Sequence, residues 1–439
     1  MTLLIDFLGC KVNSYEVEAV GETFLKNGFS FFDKSKDKSP TVIIINTCAV
    51  TQTSVTKDRK IIKRYRKQYP ESVLVVMGCY AQFDYKNISE NLDADIVVGT
   101  SNRAKVYDLV NDFLKNLKKI FLNDENNSIK TYESISLTRT YLTTRAYVKI
   151  QDGCNNFCSY CLIPYIRGRS RSRKREEILN EISSLISNGV KEVVLTGIDM
   201  SSYGIDLQPQ DTFSDLIEAI LINNPNLYRL RISSLEISQI DDKFLELLAN
   251  YPNLADHLHI PLQSGSEAVV KRMNRKYDID GFVDKVSKIR KIRPLISITT
   301  DVIVGFPGEN EDNFLETYNF CKNIRFSKIH VFPYSIRNGT VAAKFKDQIS
   351  PVIKKERVNR LLELSNKLEL EYTSMFFGKN IEFLFEDYVK EAKGYRGHSS
   401  NYLECILSSD ENLENCVRKV LFTKDNFKYF WQCKNKFLR

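Results

Sequence analysis

The sequence has no apolar run approaching the roughly 18–20 residues that a membrane-spanning helix needs, which excludes a helical integral membrane protein. Its start, Met1-Thr-Leu-Leu-Ile-Asp6, lacks the basic region of a secretory signal and reads as a strand. A cytoplasmic protein with no membrane partner is the expectation. There is no internal repeat, which excludes a repeat array, and no low-complexity tract. Histidine is scarce, with four in 439 residues, the first at position 257. The ten cysteines are not a disulfide framework in a reducing compartment. They are metal ligands, catalytic groups or core residues.

What is present is ordinary in bulk. Hydrophobic residues make up 43% and charged residues 27%, and the length suggests two to four domains at about 100–200 residues each. The net charge of +8 is only mildly basic. The basic residues cluster, however. One run holds Lys57, Arg59, Lys60, Lys63, Arg64, Arg66 and Lys67; a second holds Arg167, Arg169, Arg171, Arg173, Lys174 and Arg175. The C-terminal stretch adds Arg418, Lys419, Lys424, Lys428, Lys434, Lys436 and Arg439. Each run alone reads as a solvated face, but three in separate segments favour a nucleic-acid partner.

Residues 1–120 alternate short apolar strands (3–7, 42–45, 73–77, 96–98) with helical stretches (16–26, 58–68), the pattern of a parallel βα domain. Residues 123–140 are polar and read as a linker or weak hairpin. A second domain spans 140–373. Strands are expected at 147–150, 192–195, 228–232, 257–260, 297–304 and 328–332, with helices between, and a charged helix at 357–372. Six βα units suggest a partial (β/α)6 barrel, whose site lies at the C-terminal strand ends. Residues 376–439 read as a small all-β module with strands at 381–385, 402–407 and 417–422.

Cys154-Asn-Asn-Phe-Cys158-Ser-Tyr-Cys161 follows directly on a barrel strand. Three thiolates on one short loop can hold three irons of a cubane and leave the fourth open. An open iron suits the amino and carboxylate groups of S-adenosylmethionine. The alternative is a zinc knuckle, which usually pairs C-x-x-C with a nearby histidine or cysteine. A second set, Cys10, Cys48 and Cys79, lies 38 and 31 residues apart, each after an expected strand. Loops at one edge of a parallel sheet converge, so these three can meet; the plain alternative is three buried thiols. Cys321, Cys405, Cys416 and Cys433 show no ligand spacing and read as structural.

The stretch from Asp152 to Arg173, with Cys-x-x-x-Cys-x-x-Cys followed by Ile-Pro-Tyr-Ile-Arg-Gly-Arg-Ser-Arg-Ser-Arg, resembles the core of the radical-SAM methylthiotransferases. The resemblance covers nearly the whole chain in three blocks. It implies two 4Fe-4S clusters, one at Cys154, Cys158 and Cys161 to make a radical from S-adenosylmethionine, and an auxiliary one at Cys10, Cys48 and Cys79 to carry sulfur. It implies that Tyr160 lies against the adenine. It places Thr196 and Gly197 where related enzymes contact the methionine amine, although Thr196-Gly-Ile-Asp199 departs from the usual Gly-Gly-Glu. Ser233, Gln263 and Asp301 end strands and match family segments, with a packing role as the alternative. No side chain is assigned as a catalytic acid or base.

The last 60 residues resemble a TRAM domain, a small RNA-binding β-barrel. Gly394-Tyr-Arg-Gly-His-Ser-Ser-Asn-Tyr402 matches its turn, and Phe427, Tyr429, Phe430 and Trp431 interleave with lysines in a way that suits phosphate contact and base stacking. The implied substrate is tRNA at its anticodon stem-loop, with flavodoxin or ferredoxin as electron donor. Leu8-Gly-Cys-Lys-Val-Asn-Ser-Tyr-Glu16 resembles the branch acting on N6-threonylcarbamoyladenosine at position 37. Isopentenyladenosine and a ribosomal-protein aspartate are the other branches. A non-catalytic iron–sulfur RNA-binding or redox-sensing protein is the alternative of another class.

Overall fold

The structure is a computed structural model that describes residues 1–124 and 129–427. Tyr429, Phe430, Trp431, Cys433 and the last four basic residues named above lie outside the described residues.

The N-terminal unit is a six-stranded parallel sheet in the order β2-β1-β3-β4-β5-β6. Its strands are β1 (Thr2–Phe7), β2 (Ser30–Phe31), β3 (Val42–Thr47), β4 (Val73–Gly78), β5 (Ile96–Val98) and β6 (Ile120–Leu122). The helices are α1 (Lys11–Lys26), α2 (Gln52–Gln68), α3 (Cys79–Phe83), α4 (Tyr85–Asn91) and α5 (Val106–Asn116). Every residue of β3 and β4 is buried. Their runs of valine and isoleucine are those of strands covered on both faces. The α2 helix starts where the Thr51 side chain accepts the Ser54 N–H, satisfying one of the free donors of its first turn.

The central unit repeats the alternation. Strands β7 (Ala146–Lys149), β10 (Glu192–Thr196) and β11 (Arg229–Ile232) form one parallel sheet; β12 (His257–His259), β13 (Ser297–Val304) and β14 (Lys328–Pro333) form another. A parallel bridge from Leu230 to Leu254 joins them. Six parallel strands thus follow one another in chain order, as a partial (β/α)6 barrel requires. Between β7 and α7 (Arg175–Ser187) the chain makes β8 (Gln151–Asp152), α6 (Ile163–Arg167) and β9 (Arg171–Ser172). The outer helices are α7, α8 (Phe213–Asn223), α9 (Asp242–Asn250), α10 (Glu267–Arg272), α11 (Ile279–Ile292) and α12 (Glu311–Ile324). The long α13 (Pro351–Ser374) lies across β14, with Ser365 Oγ accepting the Ile329 N–H at 3.0 Å. No helix among the described residues is long and apolar enough to cross a membrane.

The C-terminal unit is a four-stranded antiparallel sheet in the order β17-β16-β15-β18. It consists of β15 (Asn380–Val389), β16 (Gly394–Ser399), β17 (Glu404–Leu407) and β18 (Val417–Leu421) around Phe383, Phe385, Leu403 and Phe422. The segment read as a turn from 394 is largely the inner strand β16. Its Gly397 is there for closeness, since a Cβ would sit 2.9 Å from the Phe385 ring. Only the end turns: the Ser399 N–H bonds the Leu403 carbonyl at 3.0 Å, and Tyr402 is left-handed at φ 65°. That conformation delays β17 to Glu404.

Two further expectations change. The polar segment after β6 is no loose tether: Ile135 and Leu137 join the barrel core, and Glu18 and Glu22 of α1 accept the N–H groups of Tyr141 and Thr138. The second basic run is only in part a solvated face: Arg169 and Lys174 are exposed, but three of its arginines face inward. Arg167, Arg171 and Arg173 are buried and paired with acids.

Candidate active site

The loop after β7 closes on itself at Gly153, which has φ 75° and whose Cβ would lie 2.0 Å from the Arg169 carbonyl. Only glycine permits that approach. The Cys154 N–H bonds the Gly168 carbonyl at 3.1 Å. Backbone N–H groups then point at sulfur, that of Asn156 at Cys154 Sγ and that of Ile163 at Cys161 Sγ, each 3.4 Å away. Arg275 Nη1 lies 3.7 Å from Cys158 Sγ. Burial outweighs the donors and pushes the Cys161 thiol up to about 12. A positively charged metal replaces such protons.

Cys10, Cys48 and Cys79 stand at the ends of β1, β3 and β4, neighbours in one parallel sheet. Their loops meet: a Cβ on Gly9 would lie 3.0 Å from Cys48 Sγ. All three are free thiols. Burial, then the neighbouring Cys79, pushes Cys48 up to about 12; burial also raises Cys79 against the pull of Arg167. The Cys48 N–H is held by Asp58 at 2.9 Å. Arg337 lies within electrostatic reach of Cys48, and its Nε and Nη2 are buried without a hydrogen-bond partner. Orphaned cationic donors near one of the three thiols fit an anionic cluster with sulfur at its edges.

The two trios are joined. Arg167 Nε lies 3.2 Å from Cys79 Sγ, while its Nη1 pairs with Glu16 at 2.9 Å and Asp152 at 3.0 Å. Arg103 and Lys149 pair with the same two acids, and Arg171 approaches Asp152. Burial alone would raise Glu16, but Arg103, Arg167 and Lys149 hold it well below the usual carboxylate range. The buried cations outnumber the buried acids here, again suiting a neighbouring anion. Cys161 and Cys79 are within electrostatic reach of each other. Between the trios is a mainly apolar cavity of about 240 Å³, lined by Val50, Tyr160, Cys161, Gln263, Ile303 and Tyr334 among others.

A larger cavity of about 640 Å³ runs through the barrel from Cys10 and Lys11 to the C-terminal sheet. Thr196, Gly197, Ser233 and Asp301 line it, and Asp301 also lines the smaller one with Tyr160 and Gln263. The structure thus brings all six expected cofactor-contact residues to two adjoining cavities. Its far end is closed by the turn after β16: Arg231 donates to the Ser399 and Ser400 carbonyls, each at 3.0 Å, and the Tyr402 ring lies 4.7 Å from that of His257. Three of the four histidines line this cavity and the fourth, His398, lies beside Tyr402. The ligand atoms of His259, Asp301 and His330 fall within 4.8 Å of one another.

Several site residues escaped the sequence reading. Asp199, 3.7 Å from Cys154 Sγ and bonded to Asn156 Nδ2 at 3.1 Å, ends the Thr196-Gly-Ile-Asp segment, so a signal existed. Arg167 stands inside the quoted motif but was read as a surface charge. Arg275 and Arg337 carried no local signal.

The chain matches the Radical SAM superfamily over residues 148–321 and the uncharacterized protein family UPF0004 over residues 2–99. It is 41% identical to the threonylcarbamoyladenosine tRNA methylthiotransferase MtaB of Bacillus subtilis, over 98% of this chain and 95% of that protein. The MtaB of Aquifex aeolicus is 35% identical over 88% of this chain and 92% of its own length. The tRNA-2-methylthio-N(6)-dimethylallyladenosine synthase of Clostridium botulinum is 37% identical over 87% and 85%. Among solved structures, the radical S-adenosylmethionine methyltransferase TsrM from Kitasatospora setae is similar in fold, with a TM-score of 0.55 at 12% identity, covering 76% of this chain and 72% of that one.

Proposed function

The chain belongs to the radical-SAM methylthiotransferases, and from that membership we propose that it adds a 2-methylthio group to N6-threonylcarbamoyladenosine at position 37 of tRNA. The observation that carries this reading is the meeting of two three-cysteine loops beside one pair of cavities. Cys154, Cys158 and Cys161 are assigned to the 4Fe-4S cluster that binds S-adenosylmethionine. Cys10, Cys48 and Cys79 are assigned to a second cluster. When bound, the two supply reductive cleavage to a 5′-deoxyadenosyl radical and a site that delivers sulfur.

The chain's own groups position and shelter. Tyr160, Gln263 and the apolar wall of the smaller cavity are assigned to the adenosyl group; Thr196, Gly197, Ser233 and Asp301 face the polar end. The N–H groups of Asn156 and Ile163, with Arg275, orient the thiolates. The turn after β16, which lies across one end of the larger cavity, is assigned to shield a reactive radical from water.

The exposed lysines and Arg64 of α2, and Arg418 and Lys419 of β18 with Lys424 just after it, are the assigned phosphate contacts. With the TRAM-like sheet they would hold the anticodon stem-loop. Flavodoxin or ferredoxin is the proposed electron source. The proposed domain limits are 1–120, 140–373 and 376–439. The test is nucleoside mass spectrometry of tRNA from a strain lacking the gene, with and without its return. Loss and recovery of 2-methylthio-N6-threonylcarbamoyladenosine is expected. Loss of the isopentenyl nucleoside instead would overturn the substrate.

A further inference from the structure

We propose that Lys11 is the receptor for a carboxylate in the larger cavity, and that this carboxylate belongs to the threonylcarbamoyl group of the substrate nucleoside. The inference rests on the substrate reading above and adds a residue to it.

Lys11 is the first residue of α1 and follows Cys10 directly, so the sheet edge that gathers the auxiliary cysteines also aims this side chain at the cavity. No side chain caps the first turn of α1, so its free N–H groups add partial positive charge at the same end. Among the described residues no carboxylate pairs with the Lys11 ammonium. The cations around it are already matched. Arg145 pairs with Glu386 at 3.0 Å and Arg231 with Glu192 at 2.6 Å. Asp301, an acid of the same cavity, is engaged by His259 at 3.3 Å. Among the described residues Lys11 thus has the Tyr402 phenol and the Cys10 thiol as neighbours but no carboxylate.

A cation removed from bulk water and left unpaired is costly, and an arriving anion removes that cost. The substituent on this nucleoside ends in a threonine carboxylate, whereas an isopentenyl group offers only hydrocarbon. A charged receptor beside the sulfur-delivering cysteines would seat the modified base and reject the hydrocarbon one. The methionine carboxylate of S-adenosylmethionine is the other carboxylate that enters this site, so the test must separate the two.

The test uses the full chain with its clusters reconstituted without oxygen. Fluorescence anisotropy would measure binding of three anticodon stem-loops, carrying N6-threonylcarbamoyladenosine, its neutral methyl ester, or unmodified adenosine. The expected result is that the wild type prefers the free acid over the ester by about tenfold, the size of one charge-assisted contact. Lys11→Gln should erase that preference, and Lys11→Arg should restore most of it. Equal binding of acid and ester by the wild type would overturn the proposal without any variant. So would a Lys11→Gln protein that keeps the preference. Lost S-adenosylmethionine binding in Lys11→Gln with the preference intact would assign the lysine to methionine and overturn it too. If the gene-deletion nucleoside analysis fails, the substrate reading falls; if that analysis stands and only the preference persists, the lysine assignment falls alone.

Discussion

Arg167 Nε lies 3.2 Å from the sulfur of Cys79, although Arg167 ends α6 of the central unit and Cys79 opens α3 of the N-terminal unit. The guanidinium comes from the loop that carries Cys154, Cys158 and Cys161. It is fully buried and also holds Glu16 and Asp152. One side chain thus ties the loop of Cys154, Cys158 and Cys161 to Cys79 of the N-terminal unit.

Removing it should be felt twice. Arg167→Ala leaves Glu16 and Asp152 short of a buried partner, a loss of about 3–5 kcal/mol. It also takes a donor from Cys79. Denaturant unfolding and iron analysis of the anaerobic protein check both. Unchanged stability together with full iron content would show the contact to be incidental. Arg167→Lys should recover part of the stability but little of the iron, since an ammonium cannot serve three partners in one plane.

The two trios should be separable by substitution. Replacing Cys10, Cys48 and Cys79 with alanine is expected to remove half of the iron and sulfide and to leave reductive cleavage of S-adenosylmethionine in place. Replacing Cys154, Cys158 and Cys161 is expected to remove the other half and abolish cleavage. Iron content that falls to nothing in either variant would contradict two independent clusters.

Gly153 and Gly189 make a controlled pair. Both are left-handed, at φ 75° and 88°, but a Cβ on Gly153 meets the Arg169 carbonyl while Gly189 has nothing within 4 Å. Gly189→Ala should cost about 1 kcal/mol, the backbone penalty alone. Gly153→Ala should cost about 3 kcal/mol or more and lower cluster occupancy at Cys154. Equal melting temperatures for the two would refute the close approach.

The C-terminal sheet should weaken as pH rises. Burial opposes charge on His398, but Glu386 at 2.6 Å and Glu404 at 3.1 Å raise it from 6.5 to about 9. A group whose folded value is raised stabilises fully below its unfolded value and loses that contribution as pH climbs through the folded one. The window runs from 6.5 to about 9, and the effect is about 2 kcal/mol by pH 8 at roughly 1.4 kcal/mol per pH unit. Tyr402 acts with opposite sign. Burial would raise its phenol, but Arg145, His398 and Lys11 bring it down to about 8, so it regains stability above that pH. Melting curves from pH 6 to 9 should fall and then flatten, and His398→Gln should remove the initial fall. A wild-type curve already flat from 6 to 8 would refute the pairing.

Much of this was readable in the chain because the informative residues sit next to elements with strong local signals. Each of the six cysteines follows an apolar strand, and runs rich in β-branched residues such as 42–45 and 73–77 leave little choice of structure. What escaped depended on partners far away in sequence. Arg167, Arg171 and Arg173 look solvated until Glu16, Asp152 and Glu181 arrive from other elements. The four histidines are scattered over 141 positions, from 257 to 398, and only the barrel gathers them. The β16 strand was hidden by its glycines, which mark turns locally but here allow Phe385 to pack close.

The turn that closes the barrel floor has a consequence for any shortened form of the chain. Its residues from Ser399 to Leu403 come from the sheet that also presents basic side chains outward. Loss of that sheet would therefore do more than remove the proposed RNA contacts. It would unplug the reaction chamber from below, leaving Arg231 and His257 at an open drain. A fragment lacking its C-terminal sheet is expected to waste S-adenosylmethionine by quenching the radical in water, so the sheet proposed to hold RNA would also be the vessel's stopper.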